Sequence, residues 1–224
     1  MKYILTGSSS GLGFCLTKRL VELGKVAGIS RTIGKSTVLI DNKNFSHLEF
    51  DLSSSSDENE FRLFSEKLKL FLKDDPFVLI LNAARFYVDD KRMTSAELSN
   101  LFEVNVFSLF KIVKLLENYS LKRIFIINSI SGLIGQPDQH EYSASKHAIM
   151  GFVKSLTKNA KNKKYDVMCI NPGGMSTELW SDYKNVNTED FLNPENIADL
   201  CINLIQFPQK VFIESMSILP PSDI

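Results

Sequence analysis

The chain has 224 residues, of which 44% are hydrophobic, and this size and composition predict one globular domain with a substantial core. Its 26 basic and 26 acidic side chains give a formal net charge of zero, which argues against an electrostatic nucleic-acid binder, so we expect no nucleic-acid partner. The three cysteines lie far apart and form no CxxC pair, so we expect neither a disulfide framework nor a metal site.

The start of the chain predicts its location. It reads MKYILTG, so the first predicted strand begins at residue 2 and leaves no room for a signal peptide. No apolar run in the sequence is long enough to cross a bilayer. We therefore expect a cytoplasmic protein with no membrane partner.

Seven short apolar runs predict strands that are covered on both faces, because the runs are continuous rather than alternating. They are KYIL (2–5), KVAGI (25–29), HLEF (47–50), FVLIL (77–81), RIFIIN (123–128), DVMCIN (166–171) and VFIES (211–215).

Segments with helical spacing lie between these runs. The first repeats apolar residues from Leu12 to Leu23 and ends at Gly24. The others are 53–72, 96–117, 143–160 and 194–205. Strand and helix alternate throughout, which predicts an α/β fold: a Rossmann-type, doubly wound parallel sheet of about seven strands with helices on both faces. Ligands of such sheets bind beyond the carboxyl ends of the strands.

A glycine turn, TGSSSGLG (6–13), follows the first predicted strand. Its three glycines allow a tight turn that brings backbone N–H groups to a pyrophosphate at the N-terminus of the next helix. A plain glycine turn is the alternative, and the position between a strand and a helix favours the phosphate-binding interpretation.

The tripeptide SRT (30–32) follows the second predicted strand. NAD-binding proteins usually place an acid here that binds the adenosine 2′-hydroxyl, whereas this chain has Ser30 and then Arg31. A guanidinium can bind a 2′-phosphate, so the sequence favours NADP(H), with NAD(H) left open. An ordinary solvated arginine is the alternative.

Polar and small residues follow the other predicted strands. Asp51 comes after the third, Asn82 after the fourth and Ser129 at the end of the fifth, while NPGGMST (171–177) follows the sixth. Because the carboxyl ends of parallel strands meet at one edge of a sheet, we expect these residues to line one rim.

Two tyrosines each precede a lysine by four residues. EYSASKHA (141–148) contains Tyr142 and Lys146, and YVDDK (87–91) contains Tyr87 and Lys91. A pair with this spacing is common by chance in a lysine-rich chain, so the surrounding motifs must decide between the two.

Taken in order, the motifs resemble those of the short-chain dehydrogenase/reductase family, and the resemblance covers nearly the whole chain. Ser129 is followed by Gly132 and, thirteen residues on, by Tyr142. The matching motifs are TGxxxGxG at 6–13, the adenine-side acid Asp51, LNAA (81–84) for NNAG, Asn105 in a VN pair, SxxG at 129–132, YxxxK at 142–146, and PGxxxT at 172–177.

The chain departs from this pattern at two places. Leu81 and Ala84 replace an asparagine and a glycine of NNAG, so we expect that turn to be tied less tightly. Ser10 stands where many NADP-preferring relatives carry a second basic residue, so the predicted NADP preference depends on Arg31 alone.

The resemblance implies an NADP(H)-dependent oxidoreductase that interconverts a carbonyl compound and a secondary alcohol. It implies one dinucleotide-binding domain over residues 1–224, with a substrate lid over about residues 178–193. The implied catalytic residues are Asn105, Ser129, Tyr142 and Lys146. The implied cofactor contacts are Thr6, Gly7, Ser9, Ser10, Gly11, Leu12, Gly13, Arg31, Thr32, Asp51, Leu52, Asn82, Ala83, Tyr142, Lys146, Pro172, Gly173, Met175 and Thr177.

Each catalytic residue has an implied role. Tyr142 is the general acid/base, Ser129 binds the substrate oxygen, and Lys146 holds the nicotinamide ribose. Asn105 positions a water that supplies protons to Lys146. A free tyrosine has a pKa of about 10, and an ammonium one helical turn away lowers that pKa by roughly 1–3 units, so we expect a lowered pKa at Tyr142.

Tyr87 lacks the serine thirteen residues before it, and two aspartates separate it from Lys91. We interpret it as a substrate-side or surface aromatic. His47 and His147 are interpreted as structural.

Two other functions stay open. One is a sugar-nucleotide epimerase or dehydratase of the extended branch of the superfamily; the TGxxxGxG spacing and the lack of a sizeable C-terminal substrate domain argue against it. The other is a regulatory protein that binds NADP without turnover. The expected partners are a small carbonyl or alcohol substrate and further copies of the chain, as a homodimer or homotetramer through helices 96–117 and 143–160.

Overall fold

The sheet has the predicted parallel architecture. A computed structural model of the protein describes residues 1–87, 93–160, 162–181, 183, 187–208 and 210–221. Within these residues, seven parallel strands lie in the order β3-β2-β1-β4-β5-β6-β7. The strands are β1 (Lys2–Thr6), β2 (Lys25–Ser30), β3 (Phe45–Glu49), β4 (Phe77–Leu81), β5 (Leu121–Ile127), β6 (Asp166–Pro172) and β7 (Ile213–Ile218).

Helices cover both faces of this sheet. They are α1 (Gly11–Leu23), α2 (Glu58–Leu72), α3 (Ser95–Phe102), α4 (Ser108–Leu116), α5 (His140–Ala160) and α6 (Pro194–Ile205). Successive residues of β1 point to opposite cores: Ile4 packs in the core formed with α2, α4 and α5, and Leu5 in the core formed with α1 and α6. This two-sided burial explains the continuous apolar runs and confirms the predicted Rossmann-type fold.

The order of the strands shows where a ligand is expected to bind. The strand order reverses between β1 and β4, which are neighbours although β2 and β3 separate them in the chain. The helix α1 begins directly after β1, and Ser10 before it makes no side-chain capping hydrogen bond within the described part of the chain. The N-terminal N–H groups of α1 therefore face the crevice at the carboxyl ends of β1 and β4.

Several predicted elements differ in their bounds, and three of these differences have a structural reason. The strand expected at 211–215 lies at Ile213–Ile218; it is the edge strand, and its half-exposed alternation does not produce a continuous apolar run. The strand β3 starts at the buried Phe45 rather than at residue 47. The helix expected at 96–117 contains a π-helical turn at Glu103–Phe107 between α3 and α4. Of the described helices, none has both the length and the apolar character to span a bilayer.

Candidate active site

The glycine turn after β1 is packed so closely that it excludes side chains at two positions. Gly7 has a φ of +74°, in the left-handed region that favours glycine. A Cβ added to Gly13 would lie 1.8 Å from the carbonyl oxygen of Gly7. The turn thus brings the first residues of α1 against the end of β1, as a phosphate-binding turn requires.

The LNAA turn after β4 is tied tightly to this glycine turn. The hydroxyl oxygen of Thr6 accepts hydrogen bonds from the backbone N–H groups of Asn82, at 3.0 Å, and Ala83, at 3.1 Å. The side-chain amide of Asn82 donates to the carbonyl oxygens of Thr6 and Gly7 at 3.1 and 3.2 Å. The looser turn expected from the departures at Leu81 and Ala84 is therefore not found, because Thr6 and Asn82 supply the connections.

A cavity of about 360 Å³ runs along this edge of the sheet from Arg31 to Lys146. Almost every residue that the family resemblance implied as a cofactor contact lines it. Three do not: Thr6 is buried beneath the cavity, and Pro172 and Gly173 line the neighbouring cavity instead.

Arg31, Thr32 and Asp51 line the cavity beside the ends of β2 and β3. One carboxylate oxygen of Asp51 accepts hydrogen bonds from the backbone N–H and the hydroxyl of Ser53, at 2.9 and 2.8 Å, and so holds the turn after β3. His47 lies 3.0 Å from the Ser30 hydroxyl, which agrees with its structural interpretation.

A carboxylate that the sequence did not single out also lies in this cavity. Glu178, which follows Thr177, accepts a hydrogen bond of 3.1 Å from the backbone N–H of Gly11. Its other carboxylate oxygen forms an ion pair with Lys35. The backbone N–H of Lys35 in turn donates to the Ser9 carbonyl oxygen at 2.8 Å, so these residues form one cluster at the N-terminus of α1.

Ser129, Tyr142 and Lys146 meet where the two cavities adjoin. Ser129 follows β5, and its hydroxyl oxygen accepts a hydrogen bond of 3.1 Å from the backbone N–H of Ser131. The same hydroxyl lies near the Tyr142 phenol and acts on its pKa. Tyr142 and Lys146 lie one turn apart on α5. The Lys146 ammonium lies 5.5 Å from the centroid of the Tyr142 ring and 3.5 Å from the Asn128 carbonyl oxygen.

The pKa of Tyr142 shifts in the direction opposite to the expected one. Burial raises the pKa of Tyr142 to about 12, and the hydrogen bond with Ser129 offsets only part of that rise. Burial also lowers the pKa of Lys146 to about 8. The expectation counted the charge of the lysine but not the burial of both groups, which penalises the phenolate and the ammonium alike.

Asn105 lies in the π-helical turn and connects two parts of the site. Its side-chain oxygen accepts from the backbone N–H of Arg85 at 2.7 Å. Its amide nitrogen donates to the Arg85 carbonyl oxygen at 2.9 Å and to the Ser145 hydroxyl at 3.0 Å. Both amide hydrogens are thus used by protein groups, and the side chain lines neither cavity. Asn105 holds the loop after β4 against α5, and its implied role in positioning a water stays a prediction.

The second cavity, of about 190 Å³, begins at Ser129 and Tyr142. Phe86 is central to it: the Phe86 ring lies edge-on to Tyr142, with ring centroids 4.7 Å apart, and to Trp180, with centroids 4.9 Å apart. The predicted lid at 178–193 contains Trp180, but the sequence did not single out Phe86, which follows Arg85 in the loop after β4. Residues 182 and 184–186 of the predicted lid lie outside the described residues.

Tyr87 packs against the cluster of Phe86, Leu101 and Tyr142 but has other polar contacts than Tyr142. Its hydroxyl oxygen accepts a hydrogen bond of 3.0 Å from the Arg85 guanidinium, and it lines neither cavity. Lys91, the partner that the spacing suggested, lies outside the described residues.

Comparisons with known proteins agree with this geometry. The family model for short chain dehydrogenases matches residues 2–187. The chain is 31% identical to 3-oxoacyl-acyl-carrier-protein reductase FabG of Chlamydia muridarum over 79% of this chain and 74% of that protein. It is 28% identical to FabG of Chlamydia trachomatis over 93% of this chain and 85% of that protein.

Solved structures share the fold at lower identity. An alcohol dehydrogenase from Thermococcus sibiricus, complexed with 5-hydroxy-NADP, superposes with a TM-score of 0.83 at 18% identity and covers 97% of this chain and 95% of its own. A short chain dehydrogenase/reductase from Burkholderia phymatum, in complex with NAD, superposes with a TM-score of 0.80 at 16% identity and covers 95% and 87%.

Proposed function

Since the chain belongs to the short-chain dehydrogenase family of oxidoreductases, we propose that it interconverts a carbonyl compound and a secondary alcohol with NADP(H) as the hydride carrier. The observation that carries the proposal is the meeting of Ser129, Tyr142 and Lys146 between two cavities, one of which starts at the glycine turn. This arrangement offers a dinucleotide site and a substrate site on either side of one acid–base group.

The larger cavity fits a nicotinamide dinucleotide. The close packing of Gly7 and Gly13 leaves backbone N–H groups at the N-terminus of α1 for a pyrophosphate. Arg31 lies at the adenine end, where a guanidinium is suited to a 2′-phosphate. The bound cofactor would supply a hydride to the substrate carbon.

The protein residues would move the proton. In carbonyl reduction, the Ser129 hydroxyl donates a hydrogen bond to the carbonyl oxygen and polarises it. Tyr142, which burial keeps protonated, then gives its phenolic proton to the developing alkoxide, a stronger base than phenolate. The Lys146 ammonium beside the ring stabilises the phenolate that remains.

A substrate screen tests the proposal. We would mix the protein with NADPH and a panel of ketones, sugars and acyl thioesters and follow NADPH absorbance, with the alcohols and NADP⁺ in parallel. The expected result is consumption of NADPH with at least one carbonyl compound. Binding of NADPH without turnover over the whole panel would favour the regulatory alternative, and product formation without net consumption of NADPH would favour the epimerase.

Reduction of a 3-oxoacyl thioester is a second candidate, because the two FabG proteins described above are named for that reaction. Acetoacetyl-coenzyme A in the same panel distinguishes it from reduction of a free ketone. The cavity beside Ser129 gives a reason to expect the free ketone, as argued below.

We also propose a homodimer or homotetramer formed through the helices around 96–117 and 143–160, which include α3, α4 and α5. Phe107 between α3 and α4 is 46% exposed, which supports an apolar contact there. The rings of Phe110 and Phe152 contact each other with centroids 4.3 Å apart and are half-buried in the protomer. Light scattering should give a multiple of 25.3 kDa, and a monomer at micromolar concentration would contradict the proposal.

The cytoplasmic location stays a prediction, which cell fractionation can check.

A further inference from the structure

The substrate cavity beside Ser129 is lined by uncharged groups. Of the described residues that line it, none carries a charged side chain. Its apolar walls are Phe86, Ile130, Met175, Leu179, Trp180 and Phe191. A carboxylate or phosphate that entered this cavity would lose water without gaining a cation from these walls, which costs binding free energy.

The polar side chains that line the cavity are neutral. Gln136 and Gln139 line it together with Ser131, whose hydroxyl lies 3.3 Å from the Gln139 side-chain oxygen. Such amide and hydroxyl groups can bind a neutral polar substituent but do not compensate a full charge. The wall chemistry therefore favours a neutral substrate.

Three of the apolar side chains that line the cavity are aromatic, and they contact one another. Phe86 meets Tyr142 at an interplanar angle of 86° and Trp180 at 63°, and Trp180 meets Phe191 at 63° with centroids 5.2 Å apart. Phe86, Trp180 and Phe191 all line the cavity, so a flat ligand there would contact aromatic rings. The cavity volume of about 190 Å³ is below the usual range for ligand pockets, so the buried part of the substrate must be small.

Given the proposed function, we propose that the substrate is a small, uncharged ketone, or the matching secondary alcohol, whose carbonyl carbon bears a flat aromatic ring that packs against Phe86 and Trp180. Phe86 is then the residue that selects the ring, and it also contacts Tyr142. A carboxylated ketone is disfavoured by the uncharged walls, and a 3-oxoacyl thioester lacks the flat ring.

The single tryptophan of the chain provides a direct measurement of binding. Trp180 lines the cavity, so a ligand that packs against it should change its fluorescence. The protein, loaded with NADP⁺ so that no ketone is reduced, would be titrated with acetophenone, with its para-carboxylate, with cyclohexyl methyl ketone and with acetoacetyl-coenzyme A.

Acetophenone is expected to bind at least about tenfold more tightly than its para-carboxylate, because the carboxylate must be desolvated. It should bind about threefold more tightly than the non-planar cyclohexyl ketone, because only the flat ring makes the aromatic contacts. Equal or tighter binding of the carboxylate, of the cyclohexyl ketone or of the thioester would overturn the proposed substrate class.

Two variants test the role of Phe86. Phe86→Leu keeps the wall apolar but removes the ring, and it should weaken acetophenone binding about fivefold while cyclohexyl methyl ketone binding changes little. Phe207→Leu makes the same exchange at an exposed ring after α6 and should change neither affinity. If Phe86→Leu weakens both ketones equally, or neither, Phe86 does not select an aromatic ring.

The reaction is measured separately, as NADPH consumption with acetophenone. Selective binding without reduction would support the substrate class and refute the proposed oxidoreductase chemistry for this ring system. Reduction of other carbonyl compounds, with no binding of acetophenone, would leave the proposed function in place and refute the substrate class.

Discussion

The backbone N–H of Gly11 donates a hydrogen bond of 3.1 Å to the carboxylate of Glu178, although 167 positions separate the two residues in the chain. The carboxylate lies at the N-terminus of α1, which is the end of a helix that attracts anions. We propose that the cofactor pyrophosphate binds at this same place. Glu178 and the pyrophosphate would then compete for the Gly11 N–H, and Lys35 would pair with the pyrophosphate in place of Glu178.

We expect Glu178→Gln to bind NADPH about two- to fivefold more tightly than the wild type, because it removes a negative charge beside the pyrophosphate. Isothermal titration calorimetry measures the change. Glu195→Gln is a matched control, since Glu195 pairs with Lys18 and Arg19 elsewhere on α1 and should not affect NADPH. Unchanged or weaker binding in Glu178→Gln would rule out competition.

Arg31→Ala tests the cofactor preference. If Arg31 binds the 2′-phosphate, its removal should weaken NADPH binding roughly tenfold to a hundredfold and leave NADH almost unchanged, because a hydrogen bond to a charged group contributes about 1.5–3 kcal/mol. Dissociation constants for both cofactors, with both proteins, give the answer. Equal affinities in the wild type would contradict an NADP preference.

Tyr142→Phe should reduce turnover by roughly 10²–10⁴ because it removes the proton donor and little packing volume. Tyr87→Phe is the control: its hydroxyl bonds the Arg85 guanidinium outside both cavities, so it should cost much less. Turnover with any identified substrate, measured after both variants are shown to bind NADPH, compares them. The mechanism is wrong if Tyr142→Phe keeps more than about a tenth of the wild-type rate.

The lowered pKa of Lys146 predicts a pH dependence of stability. Burial brings this pKa from its model-compound value of 10.5 to about 8. Between these pH values the unfolded chain holds a proton at Lys146 that the folded protein has lost, so the contribution of Lys146 to the free energy of unfolding rises with pH, by on the order of 3 kcal/mol in all. Burial raises the pKa of Cys15 to about 11 and the pKa values of Cys169 and Cys201 to about 12, and these thiols, with Tyr142, act in the opposite direction above about pH 9.

Lys146→Met should remove this contribution, because methionine fills the site without a titrating group. Urea unfolding at a series of pH values measures the contribution as the difference in free energy of unfolding between the wild type and the variant, with Lys154→Met, an exposed lysine of the same helix, as the control. A difference that stays constant with pH would contradict a lowered pKa at Lys146.

The predictions that succeeded depend on neighbours in sequence. The fold follows from continuous apolar runs that alternate with amphipathic helices. The family could be identified from the glycine turn at 6–13, Ser129 and the Tyr142–Lys146 spacing taken together. Residues one helical turn apart share a face, so this spacing also predicts that Tyr142 and Lys146 lie side by side.

What the sequence did not reveal depends on contacts between distant segments. Phe86 and Glu178 occupy loops whose paths the periodicity of the sequence does not determine, and each reaches the site only through the fold. The direction of the Tyr142 pKa was wrong because burial by Phe86 and its neighbours outweighs a charge that is visible in the sequence. The π-helical turn at Glu103–Phe107 adds one residue to a turn without changing the apolar pattern enough to mark it.

The parallel order of the sheet also determines how the chain can acquire its structure. Every strand pairing among the described residues is parallel, so each pairing forms only after a crossover connection has closed. The pairing of β1 with β4 brings Thr6 to Asn82 across 76 residues of chain. Closing such loops costs chain entropy before any contact compensates for it, which makes folding slow. The two turns that Thr6 joins are the walls of the proposed cofactor cleft. In a refolding reaction, the ability to bind NADPH should therefore appear together with β1–β4 pairing and never ahead of it.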